Sequence, residues 1–306
     1  MDNLLIILGP TASGKTNLAV ELADRYDGEI ISADSRQIYK GMDIGTGKDL
    51  EEYSINNKKI PYHLIDILSP AKDYSVYQFK KDFKKSYKKI IANNHLPILC
   101  GGTGLYIESI LLDYNMPKTI PDFKLRESLE NDSVNNLIKK LKTIDKDKFD
   151  KEYHVSKRRL IRTIEILSDS KSNKVQMNLQ GKSQFKETLI LGINIQREKV
   201  LKLIKCRLDK RLKEGLIEEV EGLLKNGLST ERLHYFGLEY RFIGQYLSKD
   251  IDYSTMINKI NIAINKFSKR QMTFFRRMEK RGINIKWVDS NDRAKIKSLI
   301  KPFLNK

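Results

Sequence analysis

Residues 9–16, GPTASGKT, match the pattern G-x-x-x-x-G-K-[ST] at every fixed position. In such a loop the glycines permit a tight turn whose backbone N–H groups point toward an anion, and the helix that follows presents its positive N-terminus. Lys15 supplies a mobile positive charge, and the Thr16 hydroxyl is suited to ligate a Mg²⁺ ion that also binds phosphate oxygens. The motif predicts phosphate binding, but it identifies neither the phosphate compound nor the bond that breaks. The residues predicted to hold the phosphates are Gly9, Pro10, Thr11, Ala12, Ser13, Gly14, Lys15 and Thr16.

Two aspartates follow apolar segments and are candidates for acid–base or metal chemistry. Asp34 follows the segment 29–32, at the predicted carboxyl edge of a parallel sheet, where α/β proteins bind ligands. There it is placed to act as a general base or to accept a hydrogen bond from a substrate amine. A lone aspartate at a strand end also caps helices or turns, and from the position of Asp34 alone that role is favoured, with the chemical role left open. Asp66, in HLIDI, is the candidate for the acid that a nucleotide hydrolase needs, but we favour a structural strand-end role.

The segment 266–281, KFSKRQMTFFRRMEKR, has the strongest clustering of positive charge in the chain. On a helix, its basic positions would share one broad face with residue 273, while Phe267, Phe274 and Met278 would point toward the core. Such a face could contact nucleic-acid phosphates, which provide affinity and register. An ordinary solvated amphipathic helix is the alternative, and charge alone does not decide between them. The basic residues are Lys266, Lys269, Arg270, Arg276, Arg277, Lys280 and Arg281, against one acid, Glu279.

The composition is that of a globular protein with an excess of basic residues. The 306 residues carry a formal net charge of +18, and 40% of them are hydrophobic. Such an excess suits a polyanionic partner, with nucleic acid as the first candidate and an anionic membrane surface as the second, although a lysine-rich genome would give part of it. The cysteines Cys100 and Cys206 indicate neither a disulfide framework nor a zinc module. No apolar run approaches a membrane span, and the start, MDNLLIILGP, does not resemble a signal peptide, so we predict a cytoplasmic protein without a membrane partner.

Strands and helices alternate around these candidate residues, which predicts an α/β fold with a P-loop NTPase-like parallel sheet flanked by helices. The predicted strands are 4–8, 29–32, 64–67, 97–100, 188–195 and 283–288, the last followed by a short tail. The predicted helices between and after them are 15–25, 77–93, 101–112, 197–213, 216–225, 239–248 and 254–281.

The segment from 117 to about 184 differs, because it lacks strand signals and shows helical spacing of its apolar residues. Its predicted helices are 123–131, 134–143 and 157–168. We therefore predict an all-helical insertion domain of residues 117–185. The P-loop core would then consist of residues 1–116 and 186–306.

Motifs spread over nearly the whole chain resemble those of the bacterial tRNA dimethylallyltransferases, also called isopentenyltransferases. The first group is GPTASGKT at 9–16, DSRQIYKGMDIGTGK at 34–48, YHLIDI at 62–67, YSVYQF at 74–79 and GGTGLY at 101–106. The second is RRLIR at 158–162, the helix around Arg207 that ends in EGLIEEV, YRFIGQYL at 240–247 and KRQMTFFRR at 269–277. The set is specific, since few P-loop families carry DSxxIYxGMDIGT together with KRQxT.

The resemblance implies a reaction and its substrates. Dimethylallyl diphosphate would place its diphosphate in the P-loop with Mg²⁺, and N6 of an adenine would attack the allylic carbon as diphosphate leaves. In this family the adenine is position 37, beside the anticodon, of tRNAs that read codons beginning with U. That base must be flipped out of the anticodon loop to reach a pocket. We expect a monomer that binds the tRNA anticodon stem-loop, in part through the insertion domain.

The resemblance also implies roles for individual residues. Arg207 would reach the diphosphate and Thr103 would lie near the target base, whereas spacing alone would make Arg207 a solvated helix charge and Thr103 a helix N-cap. The implied catalytic residues are Asp34, which would accept the N6 proton, with Thr16, Lys15, Thr103 and Arg207. The implied tRNA-binding residues are Asp34, Ser35, Arg36, Gln37, Thr103, Arg126, Arg158, Arg159, Leu160, Ile161, Arg162, Tyr240, Arg241, Lys269, Arg270, Gln271, Thr273 and Arg276.

Four positions depart from the family pattern. Gly47 stands where the family usually has Ala, Arg211 where it commonly has Met, and Phe274 where it usually has Trp. The family's GY(K/R) stretch reads GLEYR here, at 237–241. These changes leave the phosphate loop and Asp34 intact, so they indicate a subfamily whose tRNA preference could differ.

Three other functions stay open at this point. An adenylate isopentenyltransferase that acts on free AMP, ADP or ATP would share the core and Asp34, but it has less use for the insertion and the basic face. A nucleotide or small-metabolite kinase would need ATP in the loop and a set of lid arginines. A non-catalytic RNA-binding protein would need only the positive charge.

Overall fold

A computed structural model of the chain describes residues 3–55, 57–114, 121–145, 156–169 and 185–305. The chain divides into two compact units, the larger formed by Met1–Leu111 with Ser183–Lys306 and the smaller by Leu112–Lys182. These boundaries fall close to the positions 117 and 185 expected from the sequence. Within the described ranges, no helix combines the length and the apolar character needed to cross a membrane.

The described secondary structure alternates as expected for an α/β protein. The strands are β1 (Asn3–Leu8), β2 (Gly28–Ser32), β3 (Ser54–Ile55), β4 (Lys58–Lys59), β5 (Tyr62–His63), β6 (Leu96–Gly101), β7 (Glu187–Ile193) and β8 (Lys286–Val288). The helices are α1 (Lys15–Arg25), α2 (Val76–Ala92), α3 (Gly104–Leu111), α4 (Phe123–Glu130), α5 (Val134–Ile144), α6 (Lys157–Ser168), α7 (Arg197–Lys213), α8 (Leu216–Lys225), α9 (Thr230–Phe236), α10 (Leu238–Leu247), α11 (Tyr253–Lys280) and α12 (Arg293–Leu304).

Six strands of the larger unit form one parallel sheet in the order β5-β2-β6-β1-β7-β8. The strand β1 lies inside the sheet, where Leu5 is opposite Ile98 of β6 and Leu189 of β7. Every residue of β1 is buried, which explains why this strand reads as a continuous apolar run rather than an alternating one. The predicted parallel sheet is confirmed, and the end of β1 carries the phosphate loop into the middle of its carboxyl edge.

Helices cover both faces of this sheet. On one face α1 and α12 pack against the strands through residues such as Leu18 and Ile300. On the other face α2, α3 and α11 contribute Phe79, Ile107 and Phe275 to a second buried cluster. A third cluster joins α7, α8, α9, α10 and α11 to the segment after β2. The P-loop NTPase-like α/β fold is thereby confirmed, and α11 is held by two of the three clusters.

The smaller unit contains the helices α4, α5 and α6, so the predicted helices in this segment are confirmed within two residues at each end. The N-terminus of α5 is capped by Ser133, whose side chain accepts a hydrogen bond from Asn136 N at 3.2 Å. A small apolar core joins the three helices through Leu129, Leu137, Leu141, Leu160, Ile161 and Ile164.

Two predictions about the larger unit are wrong. Residues 64–67 do not form a strand, because Leu64 and Asp66 have left-handed backbone with φ of 63° and 55°, which interrupts an extended ladder. The segment after β8 is not a simple tail but contains α12, whose Ile296, Ile300 and Phe303 are buried. The sequence also gave no signal for the 3₁₀ helix Leu50–Tyr53, for the hairpin of β3 and β4, or for the separate short helix α9.

Candidate active site

The carboxyl ends of β1, β2 and β6 bring three loops together at one edge of the sheet. The phosphate loop follows β1, Asp34 follows β2 and Thr103 follows β6. The ends of β2 and β6 approach so closely that a Cβ on Gly101 would lie 2.3 Å from the carbonyl oxygen of Ala33. Thr103 N donates a hydrogen bond to this same oxygen at 3.1 Å. Because only glycine fits at position 101, the turn after β6 is fixed beside Asp34.

The phosphate loop has the backbone of an anion-binding cradle. Ala12 and Gly14 are left-handed, with φ of 61° and 79°, and α1 begins immediately afterwards. Ser13 is 4% exposed, and its Oγ has no hydrogen-bond partner among the described residues. A buried hydroxyl without a partner is destabilising, so an anion oxygen bound in the loop would satisfy a group that the folded chain leaves unpaired.

Lys15 lies inside this cradle. Its Nζ donates a hydrogen bond to Pro10 O at 2.7 Å. Burial, with a smaller contribution from nearby Arg207, lowers the pKa of Lys15 from 10.5 to about 8, against the opposing effects of Cys100 and Asp34. A phosphate bound beside Lys15 would replace lost solvation with negative charge and raise this pKa again. The lysine is therefore placed to respond to an anionic ligand.

Asp34 borders the same cavity as the phosphate loop. Its Oδ1 accepts a hydrogen bond from Arg36 N at 2.8 Å, as in a turn cap. Its charge also acts on the pKa values of Lys15 and Arg207. The two readings that the sequence left open are therefore compatible, because the carboxylate both caps the turn and faces the cavity.

The cavity has a volume of about 380 Å³, which is the size of a small-ligand site. Its border combines the phosphate loop and Asp34 with basic, acidic and apolar side chains from other parts of the larger unit. These further lining residues include Arg207, Lys210, Asp49, Glu52, Leu203 and Phe267. A charged head group and a short apolar chain would both find complementary surfaces here.

Arg207 projects from α7 onto the phosphate loop. Its Nη2 donates a hydrogen bond to Thr11 Oγ1. Burial, followed by repulsion from Arg211, lowers the pKa of Arg207 to about 10. The residue is therefore a partly buried cation at the cavity and not a solvated charge on the helix surface, which is the alternative that spacing alone would favour.

Gln271 clamps two of the three loops, although the sequence predicts a tRNA contact for it. The side chain is 5% exposed. Its Oε1 accepts from Thr11 N at 2.8 Å, and its Nε2 donates to Gly102 O at 3.0 Å. Both ends of the amide are used inside the chain, and Gln271 also borders the cavity, so its contact with tRNA stays a prediction. The KRQ motif marks the residue, but only the packing of α11 shows which way it faces.

The residues after Asp34 are held from several sides. Ser35 N donates to Thr103 Oγ1 at 3.0 Å, so Thr103 joins the turn after β6 to the turn after β2. Gln37 borders the cavity and donates from Nε2 to Gly47 O at 2.8 Å. The guanidinium of Arg36 lies 5.5 Å from the centre of an aromatic ring of α9. Contacts of these residues with tRNA stay a prediction.

On α11 the exposed basic side is smaller than the sequence suggests. Arg277 and Arg281 each form an ion pair with the buried Glu108 of α3, at 2.8 and 3.1 Å, so both guanidinium groups already have a partner within the protein. Met278 and Phe275 are fully buried, and the half-buried Phe274 packs against the same apolar cluster, so the predicted core direction of Phe274 and Met278 is confirmed and Phe275 joins them. The exposed polar residues of this side, which we call the basic side of α11, are Lys266, Lys269, Arg270, Thr273, Arg276 and Lys280.

The sequence predicts tRNA contacts for both Tyr240 and Arg241, but the fold buries the first side chain and exposes the second. Tyr240 is 3% exposed and donates from its hydroxyl to Glu219 Oε1 at 2.7 Å. A Cβ on Gly45 would lie 2.6 Å from the same hydroxyl, so the ring packs tightly on the segment after β2. Tyr240 is therefore buried, whereas Arg241 is exposed, and the contacts of both with tRNA stay predictions.

The smaller unit divides its predicted tRNA contacts in the same way. Leu160 and Ile161 are 0% and 4% exposed and belong to its apolar core, and their contacts with tRNA stay a prediction. Arg126 pairs with the buried Glu165 at 2.8 Å, and Arg162 binds the same carboxylate. The remaining two arginines of the predicted set, Arg158 and Arg159, are exposed.

Asp66 has a structural role, as the sequence analysis predicts, and pairs with a buried lysine. Its carboxylate accepts from Nζ of Lys48, a side chain that is 1% exposed. The same ammonium donates to Tyr39 O at 2.7 Å and to Asp43 Oδ1 at 2.5 Å. Lys48 therefore ties the segment after β2 to the segment after β5. No feature of the sequence pattern showed that this lysine would be buried.

Protein-family models and relatives match almost the entire chain. The model described as IPP transferase matches residues 37–278, and the model described as isopentenyl transferase matches residues 2–60. A tRNA dimethylallyltransferase 1 of Azobacteroides pseudotrichonymphae is 48% identical over 289 residues, covering 94% of this chain and 92% of that protein. A tRNA dimethylallyltransferase 1 of Syntrophus aciditrophicus is 43% identical over 301 residues, covering 98% of each.

Solved structures extend these similarities to the fold. The full-length tRNA isopentenylpyrophosphate transferase of Bacillus halodurans has a TM-score of 0.69 at 30% identity, covering 100% of this chain and 95% of that one. A eukaryotic dimethylallyltransferase, in structures described as acting on tRNA, shares the fold with a TM-score of 0.77 at 21% identity, covering 98% of this chain and 77% of that one. Since the family model spans most of the sequence and the relatives align over nearly their full length, this chain belongs to the IPP transferase family.

Proposed function

We propose that this chain transfers the dimethylallyl group of dimethylallyl diphosphate to N6 of adenine 37 in tRNAs that read codons beginning with U, and releases diphosphate. The observation that carries the proposal is that the phosphate loop and Asp34 border one cavity. The relatives at 43% and 48% identity bear the name tRNA dimethylallyltransferase. Their name supports tRNA, rather than a free adenine nucleotide, as the acceptor.

The diphosphate of the donor fits the phosphate loop. As the allylic C–O bond breaks, negative charge grows on the leaving diphosphate. The loop N–H groups, Lys15 and Arg207 are already positioned to stabilise that charge. Burial holds the pKa of Lys15 at about 8 in the protein without ligand, and bound diphosphate would raise it, so the lysine would be cationic in the complex.

The acceptor amine would approach from the side of Asp34. As the new N6–C bond forms, one N6 proton must leave, and the Asp34 carboxylate is positioned to accept it. The hydrogen bond from Arg36 N to Oδ1, at 2.8 Å, fixes the orientation of that carboxylate. An adenine stacked in an anticodon loop cannot enter such a cavity, so the base would have to be flipped out first.

Mg²⁺ is the cofactor we propose, and the residues present fit it. This ion binds proteins through few side chains, keeps several waters and takes phosphate oxygens of the substrate. The Thr16 hydroxyl borders the cavity, and the part of the chain that is described holds no cluster of three or more His, Cys, Asp or Glu side chains able to bind a metal by itself. Thr16 would hold the ion, which would help to neutralise the diphosphate.

The tRNA anticodon stem-loop would be bound by the basic side of α11 and by the exposed arginines of the helical insertion, Arg158 and Arg159. These phosphate contacts would give affinity and register, while specificity would come from bases splayed out of the loop. An enzyme for free AMP has less use for either surface. The division at 112 and 183 supports a separate insertion domain. We further propose that the protein acts as a monomer in the cytoplasm.

The test is a comparison of tRNA nucleosides from cells with and without this gene by mass spectrometry. We expect N6-dimethylallyladenosine or its derivatives to disappear when the gene is deleted and to return with the wild-type gene. In a second assay, purified protein with Mg²⁺ and labelled dimethylallyl diphosphate should label tRNA transcripts. Label in AMP but not in tRNA would establish the adenylate alternative instead.

A further inference from the structure

Arg211 is a buried cation to which the proposed reaction assigns no role. It lies on α7, one helical turn beyond Arg207, and is 4% exposed. Buried arginines are rare unless paired, because removing a guanidinium from water is costly. The pairing of this side chain therefore indicates what it does.

Gly47 provides the space that the guanidinium of Arg211 occupies. A Cβ on Gly47 would lie 1.8 Å from Nη2 and 2.8 Å from Cζ of Arg211. The carbonyl oxygen of Gly47 accepts from Gln37 Nε2 at 2.8 Å, and both Gly47 and Gln37 border the cavity. Arg211 thus packs directly behind the wall of the cavity, where any larger residue at 47 would collide with it.

Asp49 supplies the counter-charge. Its Oδ2 lies 3.4 Å from Nη2 of Arg211, and Asp49 also borders the cavity. Glu52 is a second carboxylate on this border; burial and the charge of Asp49 raise the pKa of Glu52. Two carboxylates beside a diphosphate site would repel the donor unless they are neutralised. Arg211 is the cation that neutralises one of them.

Glu239 is a further carboxylate on which the charge of Arg211 acts. It is 5% exposed, and burial raises its pKa, while Arg211 and then Arg207 act in the opposite direction. Glu239 belongs to the GLEYR stretch. Positions 47 and 211 are far apart in the sequence and are both departures from the usual family pattern, yet they meet at one wall of the cavity, and the charge of Arg211 also acts on Glu239.

We propose that Arg211 is a positioning residue for the donor: it fills the space over Gly47 and neutralises Asp49, so that this wall of the cavity accepts a diphosphate. The inference deepens the proposed function and rests on it for the identity of the donor. Arg211 does not itself touch the donor in this proposal; it acts through Gly47 and Asp49.

The first test is Arg211→Met, which keeps a long side chain but removes its charge. Because Asp49 then faces the cavity without its cation, we expect the KM for dimethylallyl diphosphate to rise about tenfold. The kcat and the KM for tRNA should stay within about twofold of wild type, since the acceptor side is unchanged. The Kd of inorganic pyrophosphate in the presence of Mg²⁺, measured by calorimetry, should rise by a similar factor.

The second test adds Asp49→Asn to Arg211→Met. Removing the uncompensated carboxylate should return the donor KM and the pyrophosphate Kd to within about threefold of wild type. An arginine that only packs the interior would not be rescued in this way. Arg211→Lys keeps the charge and should weaken donor binding less than Arg211→Met does.

The third test is a cycle between Gly47→Ala and Arg211→Met. Gly47→Ala alone should lower kcat/KM for the donor about tenfold or more, because it collides with Arg211 and strains a residue whose φ is +62°. In the Arg211→Met background only the backbone strain remains, so adding Gly47→Ala should cost no more than about threefold. If the two residues acted independently, the loss of kcat/KM in the double variant would equal the product of the losses in the two single variants.

Lys213→Met is the matched control, since it removes a positive charge from the exposed end of the same helix. It should leave pyrophosphate binding within about twofold of wild type. The inference is overturned if Asp49→Asn gives no rescue, or if Arg211→Met weakens donor and tRNA equally. Should Arg211→Met fail to fold in a thermal melt, Arg211→Gln is measured in its place against the same expectations. Pyrophosphate binding needs no acceptor, so a wild-type protein that binds pyrophosphate but does not prenylate tRNA contradicts the proposed function alone.

Discussion

Positive charge is organised in opposite ways in the cavity and on the basic side of α11. In the cavity, Lys15 and Arg207 are partly buried, each donates a hydrogen bond to the phosphate loop, and loss of solvation lowers the pKa of both. On α11, Lys269, Arg270 and Arg276 are exposed to solvent. Buried cations act through low dielectric and fixed geometry, whereas exposed cations act through a summed field that salt screens.

The difference teaches that each region should respond to a different perturbation. Changes in the cavity should alter the chemical step or donor binding and depend on pH. Changes on α11 should alter tRNA binding and depend on ionic strength. A single helix connects the two regions, because Gln271 of α11 holds Thr11 N and Gly102 O at the loops while the preceding residue, Arg270, is exposed.

The largest effect should follow from Asp34→Asn. The amide keeps an oxygen that can accept from Arg36 N, so the turn is preserved while the proton acceptor is lost. We expect kcat to fall by about 10²- to 10⁴-fold, the range of a lost general base. The tRNA Kd, measured by filter binding, should change by less than about threefold. A normal kcat in this variant would remove Asp34 from the reaction.

The next effect concerns Lys15 and pH. The pKa of Lys15 is lowered to about 8 in the free protein, and a bound diphosphate favours the protonated form. Pyrophosphate affinity should therefore be fully present below pH 8 and fall as the pH rises above it. Lys15→Ala should weaken binding by about 10- to 100-fold, as expected for a lost hydrogen bond to a charged group.

Calorimetry with pyrophosphate from pH 6.5 to pH 9.5 measures both effects. The ligand itself also titrates, so Lys15→Ala provides the reference curve. The wild-type curve should fall more steeply than the reference above pH about 8, in keeping with the lowered pKa of this lysine. Parallel curves for the two proteins would contradict the assignment.

A smaller effect is expected for Gln271→Ala, which breaks the link between the two regions. Thr11 N and Gly102 O each lose a partner, so the phosphate loop should be less well positioned. We expect the donor KM to rise about fivefold to tenfold, within the range of one unsatisfied buried pair. The salt dependence of tRNA binding should not change, because the amide is buried and uncharged. A change in the salt dependence of tRNA binding would instead indicate that Gln271 contacts tRNA.

The smallest effect should come from Arg276→Ala on the basic side of α11. Loss of one phosphate contact should weaken tRNA binding a few-fold and make the slope of log K against log salt shallower by about 0.7 to 0.9. The kcat at saturating tRNA should not change. Lys297→Ala removes an exposed charge from α12 and serves as the control. An equal effect of both changes would show that only net charge matters.

The motifs identified residues around the cavity, but they did not predict which of these side chains are buried and which are exposed. The KRQ motif pointed to Gln271 and the YRFIGQYL segment to Tyr240, and the structure buries both. Motif membership shows that a residue type is required, but it does not distinguish a residue that touches a ligand from one that holds its neighbour. That distinction depends on which side of a helix is covered, and long-range packing decides it.

The same limit applies to charge. Seven basic residues in 266–281 predicted one broad basic face, yet Arg277 and Arg281 pair with Glu108 of α3. The acid lies about 170 positions away and is fully buried, so local charge patterns contain no trace of it. The sequence does not predict α12 for a related reason. Its three buried residues lie in a short lysine-rich segment, and they become core residues only because the helix covers one face of the sheet.

The sequence by itself determined the phosphate loop and the parallel sheet that carries it, because backbone amides, glycine conformations and an apolar strand are properties of neighbouring residues. It also determined the bounds of helices such as α5 and α6, since periodicity and caps are local, although it did not indicate α9 or α12. Only the tertiary structure decided that Gly47 and Asp49 line one wall of the cavity with Arg211 packed behind it. Asp49 and Arg211 are 162 positions apart, and a contact of that kind exists only when α7 packs against the segment after β2.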